Sequence, residues 1–433
     1  MNWKKTLAWT ITAAMMATTL AGCSGGGNSA GGDAGKDTVT LVVMGNSNDM
    51  GRPYMDKAFS LYEEKTGNKL DLQGIPGNNF EQVSLTKFNT GDIPDIFMCF
   101  GNETLKAYNP EKNFVDFSDA AWISDVEDTV IDQAEWNGKI WGLPLWEATN
   151  TGFYYNKEIF SKYNIALPTT QDEFMAACET LKSNGVNPLY IGFKDVWPIL
   201  EQVAMDPIFE DESVREQINT NKITYADIPE MKGMVQWYTD MANKGYLGEN
   251  FAANSWDYGI DAMGSGEYAM MLTWDTWLYT DLEQKYPGMA EKFGLMPAFM
   301  GTAPEGSIEG PNTSLLLVNK NSENVEAAKE FIEFMANPEN YNVIFDGINT
   351  APVFKGQTTC VVPPQYEEAK ENGVLERAHR NSSTWGNVIG FTQTETAKCI
   401  QEAMLGASTV EEALANMDKS RISLAQAQQA PGF

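Results

Sequence analysis

The sequence predicts an α/β fold with parallel strands, and three observations carry that reading. Strand and helix patterns alternate from Val39 onward, the chain runs to 433 residues, and hydrophobic residues make up 43% of it. The alternation implies parallel pairing through right-handed crossovers. The length implies two or three domains at about 100–200 residues each. The apolar content excludes disorder for most of the chain and supplies sizeable cores.

Val39-Thr40-Leu41-Val42-Val43-Met44 is a short, β-branched apolar run, the pattern of a buried strand. Pro53 suits the first turn of a helix, Met55, Ala58, Phe59 and Tyr62 recur at helical spacing, and Gly67 closes the pattern. Lys69 to Gln73 alternates and reads as a second strand. Phe80, Val83 and Phe88 mark the apolar face of a second helix, stopped at Gly91. Asp95 to Cys99 reads as a third strand. Glu173–Lys182 and Met231–Lys244 are helical, the latter with Met234, Val235, Tyr238 and Met241 on one face. Ser314–Val318 returns as an apolar strand. The amphipathic pattern Ala327–Met335 ends before Pro338. Helices around Glu395–Leu405 and Val410–Met417 complete the chain, and no solenoid repeat is present.

Ligands on parallel sheets bind beyond the carboxyl ends of the strands. That rule points to Asn46–Asp49 after the first strand and to Phe100–Asn102 after the third.

Composition narrows the chemistry. Lys plus Arg total 30 against 59 Asp plus Glu, a net charge of −29, which argues against nucleic acid and against anionic lipid as electrostatic partners. His379 is the one histidine, so sites built from several histidines are excluded. No phosphate-binding glycine loop and no GxSxG elbow occurs. Asn46–Gly51 half resembles a calcium loop, but its fifth position is Met50 and its twelfth is Lys57. No catalytic residue, metal or cofactor is expected.

The N-terminus carries an address. Lys4 and Lys5 precede a mostly apolar, uncharged stretch, Leu7 to Leu20, shorter than the roughly 20 residues of a bilayer span. Leu20-Ala21-Gly22-Cys23 resembles a bacterial lipobox, which implies a signal peptide over 1–22 and a lipid on the Cys23 thiol. Residues 23–37, rich in Gly, Ser, Asn and Ala, read as a flexible tether. Cys99, Cys178, Cys360 and Cys399 form no CxxC motif. Buried free thiols are expected, with pairing in one of three connectivities as the alternative.

Six segments in order carry a family resemblance: Thr90–Phe97 with its Gly-Asp-Ile-Pro-Asp core, the hairpin Trp136-Asn137-Gly138-Lys139-Ile140-Trp141-Gly142-Leu143-Pro144, Gly152–Phe160 with Tyr155-Asn156-Lys157, Pro168–Phe174, Gly266–Met271 with Ala269-Met270, and Val318–Met335. Together they resemble the family 1 extracellular solute-binding lipoproteins of bacterial ABC importers, the maltose-binding-protein-like group. The resemblance implies a type II periplasmic-binding-protein-like fold, two α/β lobes joined by crossover segments with a ligand cleft between them. It places lobe 1 at 38–146 and 298–350, and lobe 2 at 147–297 and 351–433. It implies a monomer, lipid-anchored on the outer face of the cytoplasmic membrane, that closes on a carbohydrate and delivers it to ABC transporter permease subunits. The alternatives are the same fold binding a non-sugar solute such as a polyamine, or a secreted glycoside hydrolase.

Sugar recognition needs aromatic rings over C–H faces and Asn, Asp or Glu side chains for the hydroxyls. The candidates beside Asn46, Asn48, Asp49, Phe100 and Asn102 are Trp146 and Glu147 at the first crossover, Trp197, Trp256, Trp274, Asp275 and Trp277 from lobe 2, Asn312 before the strand at 314, and Trp385. The family carries a glycine shortly before an aromatic after its Ala-Met pair. Leu272–Trp277 has none, which leaves open which of Trp274 and Trp277 takes the family's stacking position. The segment follows a strand pattern and is expected in a loop at the strand's end. Two rings three residues apart share a face there in a helical turn but point oppositely if the chain stays extended, so one is expected on the ligand and the other in the core. Asn48 or Asp49 as a helix cap is the competing role. Trp136 and Trp141 are expected to pack, and Asp95 to bond local backbone.

Overall fold

In a computed structural model, which describes residues 38–76, 80–101, 103–381, 388–427 and 429–433, the first three strands form as the pattern predicts. They are β1 (Thr40–Asn46), β2 (Lys69–Ile75) and β3 (Ile96–Phe100). β1 pairs parallel with β2 on one side and with β3 on the other. The helix Pro53–Thr66 connects β1 to β2 and ends at Gly67, whose φ of 77° is the left-handed cap that glycine favours.

The helix Phe80–Thr90 connects β2 to β3, but its buried face differs from the predicted one. Val83 is exposed, while Ser84 and Phe88 are buried. Phe80 and Phe88 both lie against the Phe97 ring, and the Ser84 hydroxyl between them bonds the Tyr108 hydroxyl at 2.7 Å. Packing against β3 selects the i, i+4, i+8 row, on which a serine sits.

Glu135–Trp136 (β4) and Lys139–Ile140 (β5) form the small antiparallel hairpin of the Trp136–Pro144 motif. Trp141 is buried behind it and donates its ring N–H to the Trp136 carbonyl at 2.9 Å, so both rings pack as expected. The long strand β6 (Gly142–Asn156) follows. Then come β7 (Asn187–Tyr190), β8 (Tyr268–Trp274), β9 (Phe293–Met296), β10 (Ser307–Val318) and β11 (His379–Asn381). Among the described residues the main sheet runs β2-β1-β3-β10-β6-β8-β7, with β11 on β10 and β9 on β6.

β6 and β10 each serve both halves of this sheet. Gly142–Leu145 of β6 pair antiparallel with β10, and Thr151–Tyr155 pair antiparallel with β8. Ser314–Val318 of β10 pair with β3, and Ser307–Glu309 with β11. Between these stretches β10 has a register shift from Asn312 to Ser314, and Gly310 adopts φ 114°, open to glycine. The strand expected at 314–318 is thus the second half of a longer one.

The apolar side chains collect accordingly. One core joins Leu41, Met55, Phe59 and Leu143 with Leu316, Phe331 and Phe354. A second on the same half centres on Phe97, Tyr108 and Trp141. Across the crossing strands, a large core joins Phe153, Phe174, Met205, Tyr238 and Met270 with Ile400, Leu414 and Met417. Another gathers Tyr190, Met271, Trp277, Leu295 and Val374. One strand, β6, therefore contributes Leu143 to one lobe and Phe153 to the other, which is the two-lobe architecture.

Asp95 acts at longer range than expected. Its carboxyl accepts the Val42 N–H of β1 at 2.8 Å and the Ser322 hydroxyl after β10, tying three segments together. Cys99, Cys178, Cys360 and Cys399 are free thiols, the first two and Cys399 buried. Burial pushes the Cys399 thiol up to about 11 and those of Cys99 and Cys178 well above their ordinary value. No described helix is long and apolar enough to cross a membrane.

Candidate functional site

The sheet register brings several candidate positions to the middle of the β6–β10 pair. Phe100, the last residue of β3, lies opposite Ser314, and its side chain is 52% exposed. Asn46 ends β1, the neighbour of β3. Trp274, the last residue of β8, lies opposite Thr151 of β6, close along the chain to Trp146 and Glu147. Asn312 stands opposite Thr149. Strand ends from both lobes therefore converge where the chain crosses, as the sheet rule anticipates.

Four tryptophans from three lobe-2 segments form one cluster. Trp256 and Trp274 stack with centroids 5.1 Å apart and planes 16° from parallel. Trp197 leans on Trp256 at 4.6 Å and 52°. Trp277 meets Trp256 from below at 5.9 Å. The cluster is graded in exposure: Trp197 is 38% exposed, Trp256 and Trp274 are half-buried, and Trp277 is 1% exposed. The residue after β8 turns directly into a helix, Asp275–Trp277, instead of a loop. That helical turn carries Trp277 into the apolar core with Leu278 and Leu282. Its ring N–H has no hydrogen-bond partner there.

The backbone under this cluster is tightly fixed. The Asp195 carboxyl accepts the Trp256 N–H at 2.5 Å. The Tyr190 hydroxyl donates to the Ser255 carbonyl, and the Tyr238 hydroxyl to the Ile199 carbonyl at 2.6 Å. Val196, next to Trp197, adopts φ 65° and ψ −63°, a conformation that costs a β-branched residue energy.

The polar candidates have varied surroundings. Asn46 caps the short helix Ser47–Met50, its side-chain oxygen accepting the Asn48 N–H at 2.9 Å. The cap is thus two residues earlier than Asn48, which is exposed, and three earlier than Asp49, which is half-buried. Asp275 is fully buried and bonds Asn150 of β6 through both the N–H and the side-chain amide, each at 3.2 Å. Trp146 and Glu147 lie in β6 and Asn312 in β10. Cys23, Asn102 and Trp385 lie outside the described residues. Among the described residues no group of three or more His, Cys, Asp or Glu side chains could hold a metal ion. A groove of about 510 Å³ between Thr224 and the C-terminal helix shares no residue with these candidates.

Sequence reasoning missed Asp195, Asn150 and Glu201. Glu201 is fully buried, with no hydrogen-bond partner for either carboxyl oxygen, and desolvation pushes its pKa up to about 8. A signal existed: it is a lone acid between the apolar runs Val196–Leu200 and Val203–Met205.

Two lobes on one sheet, joined by crossing strands with exposed aromatic rings near the crossing, define a solute-binding protein of the two-lobe class. The sequence model of the bacterial extracellular solute-binding proteins matches residues 45–342, and the chain belongs to that family. Among its relatives is the melibiose/raffinose/stachyose-binding protein MelE of Bacillus subtilis, 24% identical over 399 residues, 87% of this chain and 89% of MelE. Among solved structures, the binding protein MsmE of B. subtilis in an open conformation superposes with a TM-score of 0.75. It is 18% identical, with 92% of this chain and all of that one covered. A sugar transporter component from Bacillus licheniformis in complex with stachyose gives 0.70 at 20% identity, covering 89% of this chain and all of that one. These superpositions establish the fold, and the family is one of binding proteins, not enzymes.

Proposed function

We propose that the protein captures an oligosaccharide between its lobes and delivers it to the permease of an ABC importer. The observation that carries this reading is the cluster of Trp197, Trp256 and Trp274, aromatic surface set at the end of β8 beside the crossing strands. Indole rings cover the C–H faces of sugar rings at low entropic cost. The family membership supports a binding role, and the relatives named for raffinose and stachyose support the ligand class.

Lobe 1 spans 38–146 and 298–350 in this reading, and lobe 2 spans 147–297 and 351–433, except that Phe299 and Ile308 pack into the cores of the second half and Phe354 into a core of the first. Trp197 and Trp274 stack on the sugar. Phe100 and the polar side chains of Asn48, Asp49, Asn102, Glu147 and Asn312 reach it from the other strand ends, while Trp146 and Trp385 add further rings. The chain acts as a monomer. Closure of the lobes is a hinge motion at the crossing strands. Cys23 carries the lipid that holds the protein at the outer face of the cytoplasmic membrane, with 23–37 as the tether.

A thermal-shift screen of residues 24–433 tests the ligand class, with raffinose and stachyose against spermidine. At a ligand concentration one hundred times the dissociation constant, stabilisation is about 2.7 kcal/mol. A shift with spermidine alone would replace the sugar reading by the polyamine one. Steady cleavage of stachyose would make the protein a hydrolase. For the anchor, Cys23→Ala in the full chain should release the protein from the membrane fraction, and unchanged retention would remove the lipid from the account.

A further inference from the structure

At Asn150 the crossing strand β6 changes partners. Thr149 stands opposite Asn312 of β10, and Thr151 opposite Trp274 of β8. Asn150 itself is fully buried between them. Its N–H donates to Asp275 Oδ1 and its side-chain amide to Asp275 Oδ2, both at 3.2 Å. Its carbonyl accepts the Tyr154 hydroxyl at 2.8 Å. A buried N–H has to find a partner, and here a side chain supplies what a neighbouring strand supplies elsewhere along β6.

Asp275 is equally buried and heads the helix that follows β8. Its Oδ1 also accepts the Thr276 N–H at 2.9 Å. The residue before it is Trp274, stacked on Trp256. One carboxyl group therefore joins the point where β6 passes from lobe to lobe with the turn that aims the exposed indoles.

We propose that Asp275 is a positioning residue, which locks the tryptophan platform to the crossing strand so that hinge bending and ligand stacking are coupled. It contacts Asn150 and not the sugar. The proposal rests on the reading of the tryptophan cluster as the ligand platform. A small change in hinge geometry is passed to Trp274 through two hydrogen bonds, and ligand stacking on Trp274 biases the hinge in return, as linkage requires.

The test uses the chain from residue 24 as wild type, Asp275→Asn and Asn150→Ala. Raffinose and stachyose affinities are measured by calorimetry, closure by small-angle scattering, and melting temperature without sugar. Asp275→Asn puts an amide N–H against the Asn150 amide. It should weaken binding about tenfold and shrink the sugar-induced contraction, and it should also lower the unliganded melting temperature, because two buried donors then face each other. Asn150→Ala, which deletes only the amide, should act in the same direction and carries the test if Asp275→Asn does not fold. Wild-type affinity and contraction in a folded variant would overturn the proposal. A lower melting temperature with unchanged affinity would also overturn it, making the pair a stability element. Should wild type bind neither sugar, the ligand reading fails separately. Acrylamide quenching of the unliganded proteins then decides: quenching should rise in Asp275→Asn, and equal quenching would sink the proposal.

Discussion

Trp274 lies face to face with Trp256, their centroids 5.1 Å apart and their planes 16° from parallel. The first comes from the end of a strand and the second from the segment before the helix Gly259–Gly264. Two indoles held this way fix each other's orientation rigidly, and Trp197 leans on both at an angle. Rigidity matters because a ring already ordered loses little entropy on stacking against a sugar.

Truncating the exposed rings should therefore separate binding from stability. Trp197→Ala and Trp274→Ala are each expected to weaken raffinose or stachyose binding by about 2 kcal/mol or more. Trp197→Ala should leave the melting temperature nearly unchanged, because that ring is 38% exposed. Calorimetric titration and a melting curve on each variant check both halves.

Trp277 should behave in the opposite way. It is 1% exposed and packs with Leu278, Leu282 and Leu295. Trp277→Ala is expected to cost roughly 3–5 kcal/mol of stability in denaturant unfolding. At temperatures where the variant stays folded, its sugar affinity should fall far less than that of Trp274→Ala.

The outcome at Trp274–Trp277 shows what the sequence made legible here. The three-residue spacing left two arrangements open, because a helical turn and an extended loop orient the rings differently. Local sequence does not choose between them. The choice follows from Asp275 heading a helix and bonding Asn150, a contact between residues far apart in the chain. The parallel β1–β3 unit was readable because β1 and β3 are short and apolar, β2 alternates, and Gly67 and Gly91 punctuate the pattern. The crossing strands were harder. β10 contains Glu309, Gly310, Pro311 and Asn312, which break the apolar pattern, so only Ser314–Val318 stood out. Val83 was misplaced because hydrophobicity alone cannot rank it against Ser84, whose hydroxyl has partners in the fold.

A second prediction set concerns the C-terminal helix Val410–Ala427, which belongs to the large core. Arg421 is 1% exposed and bonds Asp418 Oδ1 from Nε at 3.1 Å and from Nη2 at 2.9 Å. Its Nη1 donates to the Ile218 carbonyl at 3.0 Å, and its guanidinium lies over the Tyr225 and Phe433 rings. Arg421→Met should cost about 3–5 kcal/mol, because it leaves the Asp418 carboxyl buried without its cation. Arg421→Met combined with Asp418→Asn should recover part of that loss. Urea unfolding of the two variants checks it, and sugar affinity of the folded proteins should stay close to wild type.

The last prediction follows from Glu201, whose two carboxyl oxygens are buried with no hydrogen-bond partner. Desolvation raises its pKa from 4.5 to about 8, so the folded protein keeps this proton at neutral pH while the unfolded chain has lost it. The sign follows directly. Below about pH 4.5 both states are protonated and the contribution is fully present. Between about 4.5 and 8 the folded state binds the extra proton, so stability falls as pH rises through that window and levels off above it. The full span is on the order of a few kcal/mol. Glu201→Gln keeps the shape and cannot ionise, so it should be more stable than wild type at pH about 8 and nearly equal to it at pH about 4.5. The difference between the two proteins in urea midpoints across that range isolates Glu201 from every other titrating group. A pH-independent difference would mean that the carboxyl is hydrogen-bonded or hydrated in solution. The same substitution tests the site as well. Glu201 directly follows Leu200, which takes the left-handed φ of 52° that closes the Trp197–Ile199 turn. A neutral side chain at 201 should therefore leave Trp197 in place and preserve sugar affinity at pH about 8.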